Sequence, residues 1–64
     1  HINIRAEESI EEVIIRDMNG QVVYSNSFNS TEIKLQLNDL KDGIYFVQTK
    51  MNSNVITSKI IKSN

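Results

Sequence analysis

The sequence predicts an all-β domain, folded as a small antiparallel immunoglobulin-like β-sandwich of about six short strands. Apolar residues recur at every second position rather than at helical spacing, which is typical of strands with one buried face. β-branched and aromatic residues are frequent within these apolar runs, as strands prefer. Short polar segments that favour turns separate the runs, and no segment has a helical pattern.

Each expected strand follows from its alternation of apolar and polar residues. We expect strands at Ile2–Ile4, Glu12–Asp17, Gln21–Ser25, Glu32–Leu37, Ile44–Lys50 and Val55–Lys62. The fourth is the clearest, because Ile33, Leu35 and Leu37 alternate with charged or amide residues. Residues 6–11 are expected to form a polar turn that Ile10 can anchor, and residues 26–31 a polar loop from which Phe28 folds back on the core. A short helical turn over residues 38–40 and a reversal at residues 42–43 should lead into the fifth strand.

The connection between the second and third expected strands allows two registers. A type I′ turn centred on Asn19-Gly20 places Ile15 opposite Tyr24. A type I turn starting at Asp17, with Gly20 left-handed in a G1 bulge, gives the pairs Asp17–Gln21, Ile15–Val23 and Val13–Ser25. We prefer the second register, because it collects Val13, Ile15 and Val23 on one face and leaves the Asp17 side chain free to bond to the turn backbone.

Size and composition exclude several classes of function. The chain has 64 residues, a net charge of −1, no cysteine and one histidine, His1. This balance gives no basic patch for nucleic acid or an anionic membrane, and no apolar run is long enough to span a bilayer. Without cysteine, or a histidine placed beside a serine, we expect no catalytic residue, no metal site and no cofactor. The sequence therefore predicts a single non-enzymatic domain over residues 1–64.

Two features admit both a functional and a structural interpretation. If Tyr45 faces the core, Ile44 and Phe46 face outward, and Ile14, Val22 and Tyr24 are expected on an outer face as well. These residues either form a docking surface or are covered or scattered in the ordinary way. In the last strand, Lys59 and Lys62 flank two isoleucines. They either present a strand edge to a receptor or protect that edge from aggregation.

Three blocks of sequence carry a family resemblance. The first is Asp17-Met18-Asn19-Gly20 with Val23, the second is Leu35-Gln36-Leu37 with Leu40 and Gly43-Ile44-Tyr45-Phe46-Val47, and the third is Lys59-Ile60-Ile61-Lys62. In this order and spacing they resemble the C-terminal sorting domain, type A, of proteins exported by the type IX secretion system (Por).

The resemblance implies a sorting signal rather than a catalyst. Such a domain directs an upstream cargo protein through the periplasm and across the outer membrane of a Gram-negative bacterium, so that the cargo is secreted or displayed on the cell surface. Its implied partners are the outer-membrane translocon and a sortase-like peptidase that removes the domain. The implied recognition residues are those that match the family blocks, Gly43, Tyr45, Lys59, Ile60, Ile61 and Lys62.

One departure from the family pattern leaves alternatives open. Members usually begin with a Pro-Asn-Pro type segment and a following strand, but this chain has no proline. We therefore expect residues 1–64 to lack the most N-terminal segment, which would leave an unpaired edge. That edge could bind a partner, form a homodimer or lower stability. The alternative function is an immunoglobulin- or fibronectin-like accessory module of a surface enzyme, acting as a spacer, adhesin or glycan binder.

Overall fold

The computed structural model describes residues 2–63 as one antiparallel sheet of four strands. The strands are β1 (Ile2–Arg16), β2 (Val22–Leu35), β3 (Gly43–Met51) and β4 (Val55–Lys62). Their order across the sheet is β2-β1-β3-β4, so β1 and β3 are central and β2 and β4 are edges. His1 and Asn64, the two ends of the predicted domain, lie outside the described residues.

The all-β prediction is confirmed, and the described residues form four strands instead of the six that were expected. Two segments that were expected to be a turn and a loop, residues 6–11 and 26–31, instead continue β1 and β2. Their pairing carries register shifts between Arg5 and Ile10 and between Ile10 and Glu12. Bulges of this kind let a strand continue through a polar, irregular stretch, whereas sequence polarity alone resembles a turn.

β1 must bend, because its 15 residues would span about 50 Å if straight, while the longest dimension of the molecule is 30 Å. Its first residues, Ile2–Arg5, pair only with β2, whereas residues from Ile10 onward pair with both β2 and β3. The ribbon made by the start of β1 and the end of β2 lies across the inner face of β3 and β4. A groove there is lined by Ile2 and Ile4 on one side and by Val47 and Ile60 on the other.

The turn between β1 and β2 has the predicted G1 bulge. The Asp17 carbonyl accepts the Gly20 N–H at 3.0 Å, and Gly20 has φ of 83°. The Asp17 Oδ1 atom also accepts the backbone N–H groups of Asn19 at 2.9 Å and Gln21 at 3.0 Å. Because an L-residue disfavours positive φ, glycine suits this position.

The register beyond this turn differs from the predicted one. Arg16 pairs with Val22 as expected, but a further shift between Ile15 and Arg16 brings Ile15 opposite Tyr24. The expected pairs Ile15–Val23 and Val13–Ser25 are therefore wrong. Val23 is exposed, and Tyr24 packs against the core in its place.

The core lies between the bent ribbon and the inner face of the remaining sheet. Ile10, Val13 and Ile15 are fully buried at its centre. The alternating residues of the clearest expected strand, Ile33, Leu35 and Leu37, are buried as predicted, although β2 ends at Leu35. The remaining buried apolar residues are Tyr45, Val47 and Met51, and the partly buried residues packed against the core include Phe28 and Leu40.

Candidate recognition surface

Two sequence segments on the consecutive strands β3 and β4, Gly43–Val47 and Lys59–Lys62, meet at one end of the hairpin that these strands form. Gly43 pairs with Lys62, Tyr45 with Ile60, and Phe46 with Lys59. Ile44 pairs with Ile61 between them. All six residues that the resemblance implicates therefore lie in one cross-strand block, at the end of the hairpin away from its turn.

Two members of this block are structural. The Tyr45 ring is buried, and its hydroxyl donates to the carbonyl of Lys41 at 2.5 Å. That bond ties the start of β3 to the preceding connection and satisfies the phenol inside the core. Ile60, opposite Tyr45, is half-buried and packs against the same core.

Lys62 is largely covered, although it carries a charge. Its side chain is 18% exposed, and Nζ lies 4.0 Å from the Asp42 Oδ1 atom. Because the Asp42 side chain is 55% exposed, water screens the pair and its contribution to stability is small. Lys62 also borders a depression together with Ile2 and Leu37.

The exposed members of the block lie on the opposite, outer face of the sheet. Ile61 is 70% exposed and Lys59 is exposed beside it on the same side of β4. Their cross-strand partners are Ile44, which is half-buried, and Phe46, which is 39% exposed. We call these four residues, Ile44, Phe46, Lys59 and Ile61, the outer patch.

Arg16 extends the outer patch and was missed by the sequence analysis. It lies opposite Phe46 on the β1 side, so Phe46 has Arg16 as one cross-strand neighbour and Lys59 as the other. The Arg16 Nη1 atom donates to Gln48 Oε1 at 2.7 Å, which fixes the guanidinium along the sheet. Phe46 lies between two cations because of the register in which β1 pairs with β3. The local sequence around Arg16 does not predict that register.

The outward orientation expected for Ile14, Ile44, Phe46 and Val22 is confirmed by their cross-strand pairing. Tyr24 is the exception, because it lies opposite Ile15 and packs against the core. Tyr45 is buried and Phe28 half-buried, so Phe46 is the one exposed aromatic side chain among residues 2–63. A glycan-binding surface usually presents several exposed aromatic rings beside polar groups, and this sheet does not.

The inner side of the sheet carries a groove of about 440 Å³ between the bent ribbon and β4. Apolar side chains dominate its lining, including Ile4, Met51, Ile56 and Ile60, with Ser58 at its β4 border. No nucleophile and base lie together along it. Within residues 2–63, no three His, Cys, Asp or Glu side chains are grouped so that they could hold a metal ion. The same residues contain no helix long and apolar enough to cross a membrane.

Comparison with known proteins identifies a family. A family model described as the secretion system C-terminal sorting domain matches residues 1–63. No curated protein and no solved structure matches the chain. The family match spans the whole of the described sheet, including both halves of the cross-strand block.

Proposed function

Because the chain belongs to the family of secretion system C-terminal sorting domains, we propose that it is recognised through the outer patch during type IX export of an attached cargo protein. A sorting domain of this family is a signal for export to the cell surface or the exterior of a Gram-negative bacterium, and it is not a catalytic domain. What remains to be assigned is which of its residues the export machinery contacts.

The observation that supports the outer patch is the pairing of the Gly43–Val47 segment with the Lys59–Lys62 block at one end of β3 and β4. Within this meeting point, Tyr45 is buried and Ile60 packs against the core, so neither side chain lies on the outer face. Lys59 and Ile61 of β4 are exposed, and so is Phe46 on the neighbouring strand β3. A receptor can therefore read the two sequence blocks only through their outward-facing members.

The chemistry of the patch specifies the complementary surface. Ile61 and Phe46 offer apolar area, which contributes favourably when it is removed from water. Arg16 and Lys59 flank the aromatic ring with positive charge. The surface that fits is a shallow apolar one with carboxylates at its border, and the outer-membrane translocon is the proposed partner that carries it. Electrostatic complementarity of this kind mainly sets the rate of association and its specificity.

The finer features of the export route follow the family. We assign the chain to the type A subclass, crossing the periplasm and the outer membrane with its cargo, and removed afterwards by a sortase-like peptidase. Gly43 and Lys62 support the block structurally, at the open end of the β3–β4 hairpin. The peptidase must act on chain upstream of the folded sheet, because a cut within a hydrogen-bonded strand requires local unfolding.

The proposal is tested by export of a reporter fused upstream of residues 1–64 behind a signal peptide. The fusion is expressed in a bacterium with a type IX system and in its translocon mutant, and a second version carries a family-type proline segment before His1. We expect reporter outside the cell only where the translocon is intact. The mass of the released reporter then locates the cleavage point.

A second pair of fusions tests the patch itself. Phe46→Asn removes the apolar centre of the outer patch, and Val55→Asn makes the same kind of change at an exposed residue at the other end of the same face. We expect the first substitution to reduce export and the second to leave it unchanged. Retention of intact, folded wild-type fusions in the periplasm would refute the sorting role. Equal export of both variants would refute only the patch.

A further inference from the structure

β4 is a regular edge strand, and the features that protect it from pairing are two lysines, Lys59 and Lys62. It pairs with β3 through eight consecutive residues, Val55–Lys62, with no register shift. β2, the other edge, is interrupted by bulges and carries mostly polar exposed residues. Bulges and polar, irregular edges discourage pairing with another chain, whereas a straight regular edge invites it. Val55, Ile56 and Ile61 are exposed along this edge.

The hydrogen-bonding phase of the free β4 edge follows from the hairpin turn. The Met51 N–H donates to the Asn54 carbonyl at 2.8 Å, so Met51 and Asn54 form a hydrogen-bonded pair. In an antiparallel ladder, hydrogen-bonded and non-hydrogen-bonded pairs alternate. The next pair, Lys50–Val55, is therefore non-hydrogen-bonded, and the Val55 backbone groups point away from β3. The same holds at every second residue, which gives the outward-pointing set Val55, Thr57, Lys59 and Ile61.

This phase restricts how a second copy of β4 can pair with the first. In a symmetric antiparallel arrangement, outward-pointing residues must lie opposite outward-pointing residues. Three central registers satisfy this condition, with Thr57, Ser58 or Lys59 on the two-fold axis. The register centred on Lys59 places two lysines directly opposite each other, which is destabilising. The register centred on Thr57 leaves Ile61 opposite Ser53 in the turn.

The register centred on Ser58 allows backbone hydrogen bonds between the two strands and gives compatible side-chain pairs. It places Val55 opposite Ile61 of the second copy on the outer face, and Ile56 opposite Ile60 of the second copy on the groove face. Thr57 lies opposite Lys59 of the second copy, so no lysine faces another lysine. Since Ile56, Ser58 and Ile60 border the groove, the grooves of the two copies would meet across this joint.

We propose that two copies of this domain associate by antiparallel pairing of their β4 strands, with Ser58 at the two-fold axis, to form one continuous sheet. The pairing rests on the β4 edge and not on the proposed export function. Because the contact is a single strand edge, it is smaller than a standard protein–protein interface, and we expect an affinity in the micromolar to millimolar range, about 10 μM to 1 mM.

Charge substitutions at Thr57 test the pairing in the 64-residue chain. Thr57→Glu places a carboxylate opposite Lys59 of the second copy, and Thr57→Lys places an ammonium there. Each substitution acts twice by symmetry, so we expect dimer dissociation constants about threefold to tenfold lower and higher than wild type, respectively. Sedimentation equilibrium over a concentration series measures the constants, and circular dichroism checks that each variant is folded.

Oxidation of single-cysteine variants tests the register. Ser58→Cys puts two sulfur atoms together in a non-hydrogen-bonded pair at the axis, where side chains approach closely. Thr57→Cys and Lys59→Cys place them in staggered positions and serve as matched controls. We expect disulfide-linked dimer to form fastest with Ser58→Cys. Fastest cross-linking at residue 57 or 59, or a wild-type chain that stays monomeric at about 1 mM with no response to charge at residue 57, would overturn the proposal.

Discussion

Gly43 lies directly opposite Lys62 across β3 and β4, so the first residue of the Gly43–Val47 segment meets the last residue of the Lys59–Lys62 block. The two blocks are therefore one structural unit, and their residues divide by the face on which they lie. Tyr45 and Ile60 face the core, whereas Lys59 and Ile61 face solvent. Substitutions on the inner face should act through folding, and those on the outer face through recognition.

An exposed isoleucine provides the sharpest test of that division. We expect Ile61→Ser to reduce type IX export of a fused reporter severalfold while leaving the unfolding free energy within about 0.5 kcal/mol of wild type, since Ile61 is 70% exposed. Export is measured as reporter outside the cell, and stability by urea unfolding of the isolated chain.

The matched control for Ile61 is Val55→Ser, because Val55 is 54% exposed on the same outer face of β4 but outside the outer patch. It should be exported like wild type. If the two variants lose export equally, the effect belongs to β4 as a whole and not to the patch.

Tyr45 should behave as a core residue. Tyr45→Phe removes only the hydroxyl that donates to the Lys41 carbonyl, and we expect a loss of about 1 kcal/mol in the unfolding free energy. Tyr45→Ala also removes the buried ring and should cost about 3–5 kcal/mol. A domain of 64 residues has only about 3–10 kcal/mol in total, so this variant approaches complete unfolding. Wild-type export of Tyr45→Phe would support a purely structural role for Tyr45. Loss of export in a folded Tyr45→Phe protein would contradict that role.

The centre of the core can be tested with a buried and an exposed aliphatic residue of neighbouring strands. Ile15→Ala should cost about 2–5 kcal/mol because Ile15 is fully buried. Val22→Ala, at an exposed position near the start of β2, should change stability by less than about 0.5 kcal/mol. Chemical unfolding of both variants gives the comparison. Similar losses at the two positions would mean that the outer face of β2 is covered in solution.

The left-handed turn residue gives a test without a packing change. A Cβ atom at Gly20 would meet no atom within 4 Å, so a substitution there alters only backbone conformation. We expect Gly20→Ala to cost about 1 kcal/mol, and Gly20→Asn to cost less, because asparagine tolerates the left-handed region better. Thermal unfolding should rank the proteins in the order glycine, asparagine, alanine. Equal stability of all three would show that the bulge relaxes to another turn.

The β1–β2 hairpin shows how far local sequence can predict structure. The turn was predictable because Asp17 and Gly20 each have a specific conformational role that acts within a few residues. The register shift after the turn was not predictable, because this shift places Tyr24 instead of Val23 on the inner face. That choice depends on which side chain fills the core beside Ile15, a packing outcome that alternation alone does not encode.

Long bent strands were missed for a related reason. Residues 6–11 and 26–31 are polar, and polarity between apolar runs normally indicates a turn. Here both segments are strand, and side-chain pairs such as Ser9 with Asn29 at 2.9 Å join them across the bend. Within the candidate site, the two sequence segments lie on β3 and β4, but their residue-by-residue pairing and the position of Arg16 depend on the register of the sheet.

The order of the strands makes the signal dependent on complete synthesis of the chain. β3, the third strand made, is inserted beside β1, the first, and only then can β4 close the sheet. A polypeptide that stops before Gly43 holds an isolated β1–β2 hairpin with Val13 and Ile15 uncovered, and two strands alone are marginally stable in water. A chain that ends before Gly43 would therefore lack both the β3–β4 hairpin and a covered core.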